Sequence, residues 1–144
     1  MQGIEDRGWR CDFVALHCYW YNDWSQWKTW LDEVYNQYHR PIWITEMNYG
    51  ANWTGWPGSD TSGSTANQQI EYNHMKPILD GLASTNYIER VAVYNAVQDC
   101  RAFWLNNNVT QIGAYYRDLN MGLAYNKNYT ETFTTPVYEA ITNL

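Results

Sequence analysis

Apolar and polar positions recur with two different periods along the chain, and the switches between them outline three strands and two long helices. Arg10 to Tyr19 (RCDFVALHCY) is a short apolar run bounded by polar residues. At the strand period of two, Phe13, Ala15, His17 and Tyr19 share one face, and Val14 and Leu16 share the other. Both faces stay mostly apolar, which predicts a parallel-sheet strand covered on both sides. From Trp24 to Tyr38 the residues Trp27, Leu31, Val34, Tyr35 and Tyr38 recur at steps of three and four, with Lys28, Asp32 and Asn36 on the other face. This predicts an amphipathic helix, capped by Asn22 or Asp23 and ended by His39–Arg40–Pro41.

Pro41 to Glu46 (PIWITE) is a second β-branched and aromatic run, with proline at its first position, where it is tolerated. Strict alternation places Ile42, Ile44 and Glu46 on one face and Trp43 on the other, toward the helices. Met47 to Ala66 is a long loop rich in Gly, Ser, Thr, Asn and Trp, of the kind that is functional or mobile in a compact domain. Asn67 to Ser84 reads as a helix with Ile70, Ile78, Leu79 and Leu82 on one side, kinked or divided at Pro77. Tyr87 to Tyr94 (YIERVAVY) is the third strand. Beyond Asn95 the pattern weakens to a short helix at Ile112 to Leu119 and a short strand at Gly122 to Tyr125. The order strand, helix, strand, helix, strand implies right-handed βαβ units and a parallel sheet, in one α/β domain.

Composition narrows the function. The formal net charge of -6, from 15 acidic and 9 basic residues, argues against a surface that neutralises nucleic-acid phosphate or anionic lipid. The longest uncharged apolar run is far below the ~20 residues of a membrane span, and the chain opens without a basic-then-apolar leader. Aromatic residues make up 17%, with 9 Trp and 13 Tyr, against a charged fraction of 17%. That load suits either stacking on sugar rings, whose C–H faces pack on aromatic faces, or an aromatic-rich core. Three cysteines are too few for a disulfide framework and lack metal-ligand spacing. Cys11 and Cys18, ~23 Å apart on one strand, cannot bridge, whereas Cys100 is free to approach either. Asn52–Trp53–Thr54, Asn108–Val109–Thr110 and Asn128–Tyr129–Thr130 fit the N-glycosylation pattern.

Functional side chains of parallel α/β sheets collect at the carboxyl ends of the strands. Here those ends read His17–Cys18–Tyr19–Trp20, Thr45–Glu46–Met47–Asn48 and Tyr94–Asn95. Glu46 is either catalytic or a structural carboxylate bonded to loop amides. His17 is a general base, a metal ligand, a donor to a substrate hydroxyl, or a satisfied semi-buried histidine. His39 and His74 lie on helices or their ends, so a metal site lacks ligands, and no cofactor is implied. Trp24, Trp27 and Trp30 fall within one helix and read as packing. Trp53 and Trp56, in the long loop, are candidate binding residues or loop anchors. Asp12 and Glu89 begin their strands, away from the site.

Three ordered segments together resemble glycoside hydrolase family 128, also described as the glycosyl hydrolase catalytic core. They are Cys11–Asp12–Phe13 with His17–Cys18–Tyr19, then Pro41–Ile42–Trp43–Ile44–Thr45–Glu46, then Tyr87–Ile88–Glu89–Arg90. Gln68 or Gln69 also fits. Where the family often carries a Tyr and a Trp-Phe pair after the last Glu-Arg, this chain has Val91 and Val93–Tyr94. The resemblance implies the C-terminal part of a (β/α)₈ TIM barrel, with strands like the sixth to eighth. It implies a retaining β-1,3-glucanase, an oligosaccharide or polysaccharide substrate and an extracellular or cell-surface location. Glu46 falls on the family's nucleophile, and His17 and Tyr19 on positions lining the site. By location, Asn48, Trp53, Tyr94 and Asn95 are candidate substrate contacts. A full barrel takes ~200 residues or more, and a retaining pair needs two carboxyl groups ~5–5.5 Å apart. No Asn-Glu acid/base motif occurs in the sequence. The expectation is a barrel segment that carries the nucleophile without its acid/base, is inactive alone, and pairs with the missing barrel half or with itself. Two alternatives stand beside it: a non-catalytic carbohydrate-binding module, and a barrel glycosidase of another clan.

Overall fold

In the computed structural model, which describes residues 2–95 and 98–119, a three-stranded parallel sheet is ordered β1-β2-β3. The strands are Val14–Cys18 (β1), Ile42–Met47 (β2) and Ile88–Val93 (β3). Helices Trp24–Tyr38 (α2) and Thr65–Ala83 (α3) make the two crossovers, and a short helix, Gln2–Glu5 (α1), precedes them. After β3 come a 3-10 turn at Asp99–Arg101, a small hairpin of Trp104–Leu105 (β4) with Asn108–Val109 (β5), and the helix Gln111–Asp118 (α4). The short strand expected at Gly122 to Tyr125 and the pattern at Asn128–Tyr129–Thr130 lie outside the described residues.

The caps follow ordinary chemistry. Asp23 accepts from the Gln26 amide at 3.1 Å, and His39 closes α2 in the left-handed region with φ 48. Ser64 and Thr110 cap α3 and α4 in the same way through the amides of Asn67 and Gly113. The α3 helix begins ahead of the expected Asn67, and Pro77 does not divide it. The ring removes one backbone hydrogen bond, but Met75, Ile78, Leu79 and Leu82 around it are fully buried and hold the helix to the sheet. Its core stripe also differs from the expected one. Asn67 and Glu71 are buried, while Ile70 is exposed on the flank.

A bulge in β2 corrects the facing of that strand. Leu16 pairs with Ile44, but His17 pairs with Glu46, so Thr45 is the extra residue. On the other side, Ile44 pairs with Val91 and Met47 with Val93. An inserted residue shifts the alternation of everything after it. Ile42, Ile44 and Met47 therefore all face the helices, fully buried with Trp27, Leu31, Met75, Ile78 and Ile88. Trp43 lies on the opposite face with Glu46, and not among the helices. Its ring stacks on Phe13 with centroids 3.7 Å apart, under the Arg90 guanidinium at 4.9 Å. The β1 faces are as the alternation predicts. Among the described residues, however, only one side of the sheet is covered, and Ala15, His17, Arg90 and Ala92 on the other side are exposed.

Candidate active site

The carboxyl ends of the three strands and the loop after β2 enclose a cleft of about 680 Å³ lined by His17, Tyr19, Trp20, Glu46, Ala51, Asn52, Trp53 and Tyr94. Parallel pairing in register sets His17 beside Glu46 across the β1–β2 ladder. Tyr19, just past the end of β1, donates from its hydroxyl to Glu46 Oε2 at 2.8 Å, and His17 Nδ1 lies 3.5 Å from the same oxygen. Burial, and then the bond to Glu46, push the Tyr19 phenol up from its ordinary value. It therefore stays a proton donor to the carboxylate throughout the neutral range. The Tyr19 ring meets Trp53 and Tyr94 edge-on, at centroid distances of 5.8 and 6.3 Å. Trp53 is 77% exposed, so an aromatic face stands at the mouth of the cleft, within reach of a flat apolar ligand surface.

Of the residues picked out in the sequence, Glu46, His17, Tyr19, Trp53 and Tyr94 are thus brought together. Asn48 and Asn95 are not. The Asn48 carboxamide is fully buried, donating to the carbonyls of Tyr94 and Arg101 and accepting from the Tyr49 amide. Asn95 accepts from the Phe103 and Trp104 amides and donates to the Trp104 carbonyl. At both strand ends a short amide side chain satisfies backbone groups of neighbouring turns and of the start of the small hairpin. Trp56 is buried and anchors the loop. No disulfide joins the three cysteines, and burial pushes the Cys18 thiol up to about 12, which makes it inert packing. No group of three or more acidic, His or Cys side chains suited to a metal occurs among the described residues.

Sequence reasoning missed two buried ionisable side chains behind the cleft. Arg101 is fully buried and donates to the carbonyls of Tyr49, Ala51 and Trp56. Glu71 is fully buried with no hydrogen-bond partner on either oxygen. Burial pushes its carboxyl up to about 8 against the opposing pull of Arg101. The signal for Glu71 was its spacing, four residues before Met75 on the core stripe of α3.

Comparisons with known proteins match the chain to a family and to solved structures. The family model described as "Glycosyl hydrolase catalytic core" matches residues 4–116. Among solved structures the chain is similar to a point variant of a GH128 (subgroup I) endo-beta-1,3-glucanase from Amycolatopsis mediterranei in complex with laminaritriose and laminaribiose. The TM-score is 0.63 at 24% identity, covering 81% of this chain and 48% of that one. A variant of the same enzyme in complex with laminarihexaose gives a TM-score of 0.64 at 24% identity, with the same coverage of 81% and 48%. A GH128 (subgroup V) exo-beta-1,3-glucanase from Cryptococcus neoformans gives 0.58 at 20% identity, covering 80% of this chain and 45% of that one. No curated protein matches the sequence. The chain spans about half the length of these solved relatives, and its three parallel strands and covering helices are part of a (β/α)₈ barrel. With a family match over residues 4–116, most of its length, the chain belongs to the glycosyl hydrolase catalytic core family.

Proposed function

We propose that Glu46 is the nucleophile of a retaining glycoside hydrolase acting on β-1,3-linked glucan, and that the described chain supplies this half of the catalytic pair. The carrying observation is the Tyr19 hydroxyl bonded at 2.8 Å to Glu46, at the carboxyl ends of neighbouring parallel strands and inside an aromatic-walled cleft. Barrel enzymes place their chemistry at that end. The substrate class is supported by the complexes of solved relatives with laminari-oligosaccharides.

In this reading Tyr19 holds one oxygen of Glu46, so the carboxylate is oriented before the sugar arrives. Attack forms a bond from a Glu46 oxygen to the anomeric carbon, while the bond from that carbon to the leaving oxygen breaks with its electron pair. Water then hydrolyses the glycosyl ester. Protonation of the leaving oxygen requires a second carboxyl group ~5–5.5 Å away. Among the described residues Glu46 is the only carboxylate lining the cleft, so the proposal takes the proton donor from outside them. Trp53 and Tyr94 serve as faces for the sugar, and His17, 59% exposed at its side chain, reaches a sugar hydroxyl.

A fluorinated dinitrophenyl glucoside tests the proposal directly, because its phenolate departs without a proton donor. The expected result is one fluoroglucosyl group on Glu46, mapped by peptide mass spectrometry, and none on Glu46→Gln. Tyr19→Phe should label about tenfold more slowly or worse, the scale of one lost hydrogen bond to a charged group. An adduct on another residue, or equal labelling of wild type and Glu46→Gln, overturns the assignment. The exposed Trp53 ring favours a second reading, carbohydrate binding without chemistry. Calorimetric binding of laminarihexaose with no adduct at Glu46 would select it.

A further inference from the structure

The wall of the cleft that carries Trp53 is a stretch of irregular backbone, and what holds it is one buried cation. Arg101, on the 3-10 turn after β3, is fully buried. Its Nε donates to the Tyr49 carbonyl at 2.9 Å, and Nη2 donates to the Ala51 carbonyl at 3.2 Å, to Thr54 Oγ1 at 3.3 Å and to the Trp56 carbonyl. Nη1 donates to Gln98 Oε1, and the guanidinium lies 5.0 Å over the Trp56 ring. Every acceptor but Gln98 lies on residues 49–56, which also supply Ala51, Asn52 and Trp53 to the cleft. Thr54 ties the same turn together. Its hydroxyl donates to the Ala51 carbonyl at 2.7 Å and accepts from the Ala51 amide at 3.1 Å. The backbone is thus pinned on both sides of Trp53, at Ala51 and at Thr54, while the indole stands in solvent. Glu71, buried close by, makes no hydrogen bond to the guanidinium, so the fork is given wholly to the loop and to Gln98.

We propose that Arg101 is a positioning residue for the sugar-binding wall of the cleft, fixing residues 49–56 so that the Trp53 ring is presented to the ligand. The ligand, but not the pinning of the loop, rests on the glucan-site reading above. Lysine is no substitute for Arg101, because a point charge cannot reach acceptors that a planar fork spans. Neither Arg101 nor Thr54 lines the cleft.

The test uses the whole chain with Thr54→Val, which removes the hydroxyl while leaving the buried cation, and Arg101→Lys. Hydrogen exchange without ligand reads the loop, and calorimetry with laminarihexaose reads the site, each in the Trp53 and Trp53→Ala backgrounds. Thr54→Val should speed amide exchange across residues 49–56 by about tenfold, as loss of one hydrogen bond does, with the amides of α2 unchanged. Affinity for laminarihexaose should fall by a similar factor when Trp53 is present and stay level in Trp53→Ala. Arg101→Lys should show the larger effect in the same pattern. Unchanged exchange over residues 49–56 in both variants overturns the proposal. An affinity loss of equal size in the Trp53→Ala background also overturns it, because a general loss of stability would act without Trp53. If the wild type binds no laminarihexaose, the glucan reading fails, and the exchange result alone decides whether Arg101 fixes the loop.

Discussion

A carboxyl group at zero exposure with no hydrogen-bond donor is costly to ionise, and Glu71 is in that position. The titratable groups that face it are Arg101 and Cys100 from the turn after β3 and Tyr49 from the cleft loop, and only Arg101 favours its charged form. Burial outweighs that pull and raises the carboxyl from 4.5 to about 8. Between those values the unfolded chain gives up its proton while the folded chain keeps one. The Glu71 contribution is therefore complete below pH 4.5 and is lost as pH rises to about 8. The slope from one group is at most about 1.4 kcal/mol per pH unit. Urea midpoints taken between pH 5 and pH 8 should fall for the wild type and fall less for Glu71→Gln, whose amide does not titrate. Parallel slopes for the two proteins would mean that Glu71 is ionised in the fold. Asp32 acts with the opposite sign. Hydrogen bonds from Lys28 and Tyr87 hold its carboxyl below the usual range, so its contribution is lost only in acid.

At the scale of elements, periodicity was readable where one face is buried without interruption, and unreadable where a single residue shifts the phase. The α2 boundaries follow from its stripe and its caps. The facing of β2 does not follow from alternation, because Thr45 is an inserted residue and nothing in PIWITE marks it. Glu46 nevertheless reaches the cleft, since strand ends can be placed without knowing the facing of the strand. The asparagines at those ends carry a related ambiguity. A polar side chain beside a site is equally suited to substrate and to stray loop backbone, and local sequence does not rank the two. The β4–β5 hairpin had a usable signal. Asn106 and Asn107 sit at φ 50 and 61, in the left-handed region that asparagine tolerates and two-residue hairpin turns require. Contact between helices sets the prediction at this scale. Gly81 faces the Trp24 ring, and a Cβ there would lie 2.1 Å from the indole. Helix propensity alone favours Gly81→Ala by about 1 kcal/mol. Crowding of a rigid ring in a packed core costs about 1–3 kcal/mol, so the substitution should lower the urea midpoint. A raised midpoint would show that α2 and α3 are free to shift apart.

At the scale of the whole sheet, helices lie on one side and, among the described residues, the other face is open. Parallel sheets are found with both faces covered, because their strands lack the polar-out alternation that water tolerates. The open face here carries exposed Ala15, Arg90 and Ala92 and half-buried Trp43, and β1 and β3 are sheet edges among the described residues. Unpaired edges next to an uncovered face are a template for association. In the solved relative, this chain corresponds to 48% of the polypeptide. The chain in isolation is therefore expected to associate through the open face, either with a second copy or with a complementary barrel half added in trans. Sedimentation should give an average mass above 17.0 kDa that rises with concentration. Lysine at Ala15 and Ala92 should bring the mass back down, since both positions lie on the open side and away from the helices. A monomer at all concentrations with a sharp cooperative melt would mean that one covered face and the cleft loop are enough to stabilise half a barrel.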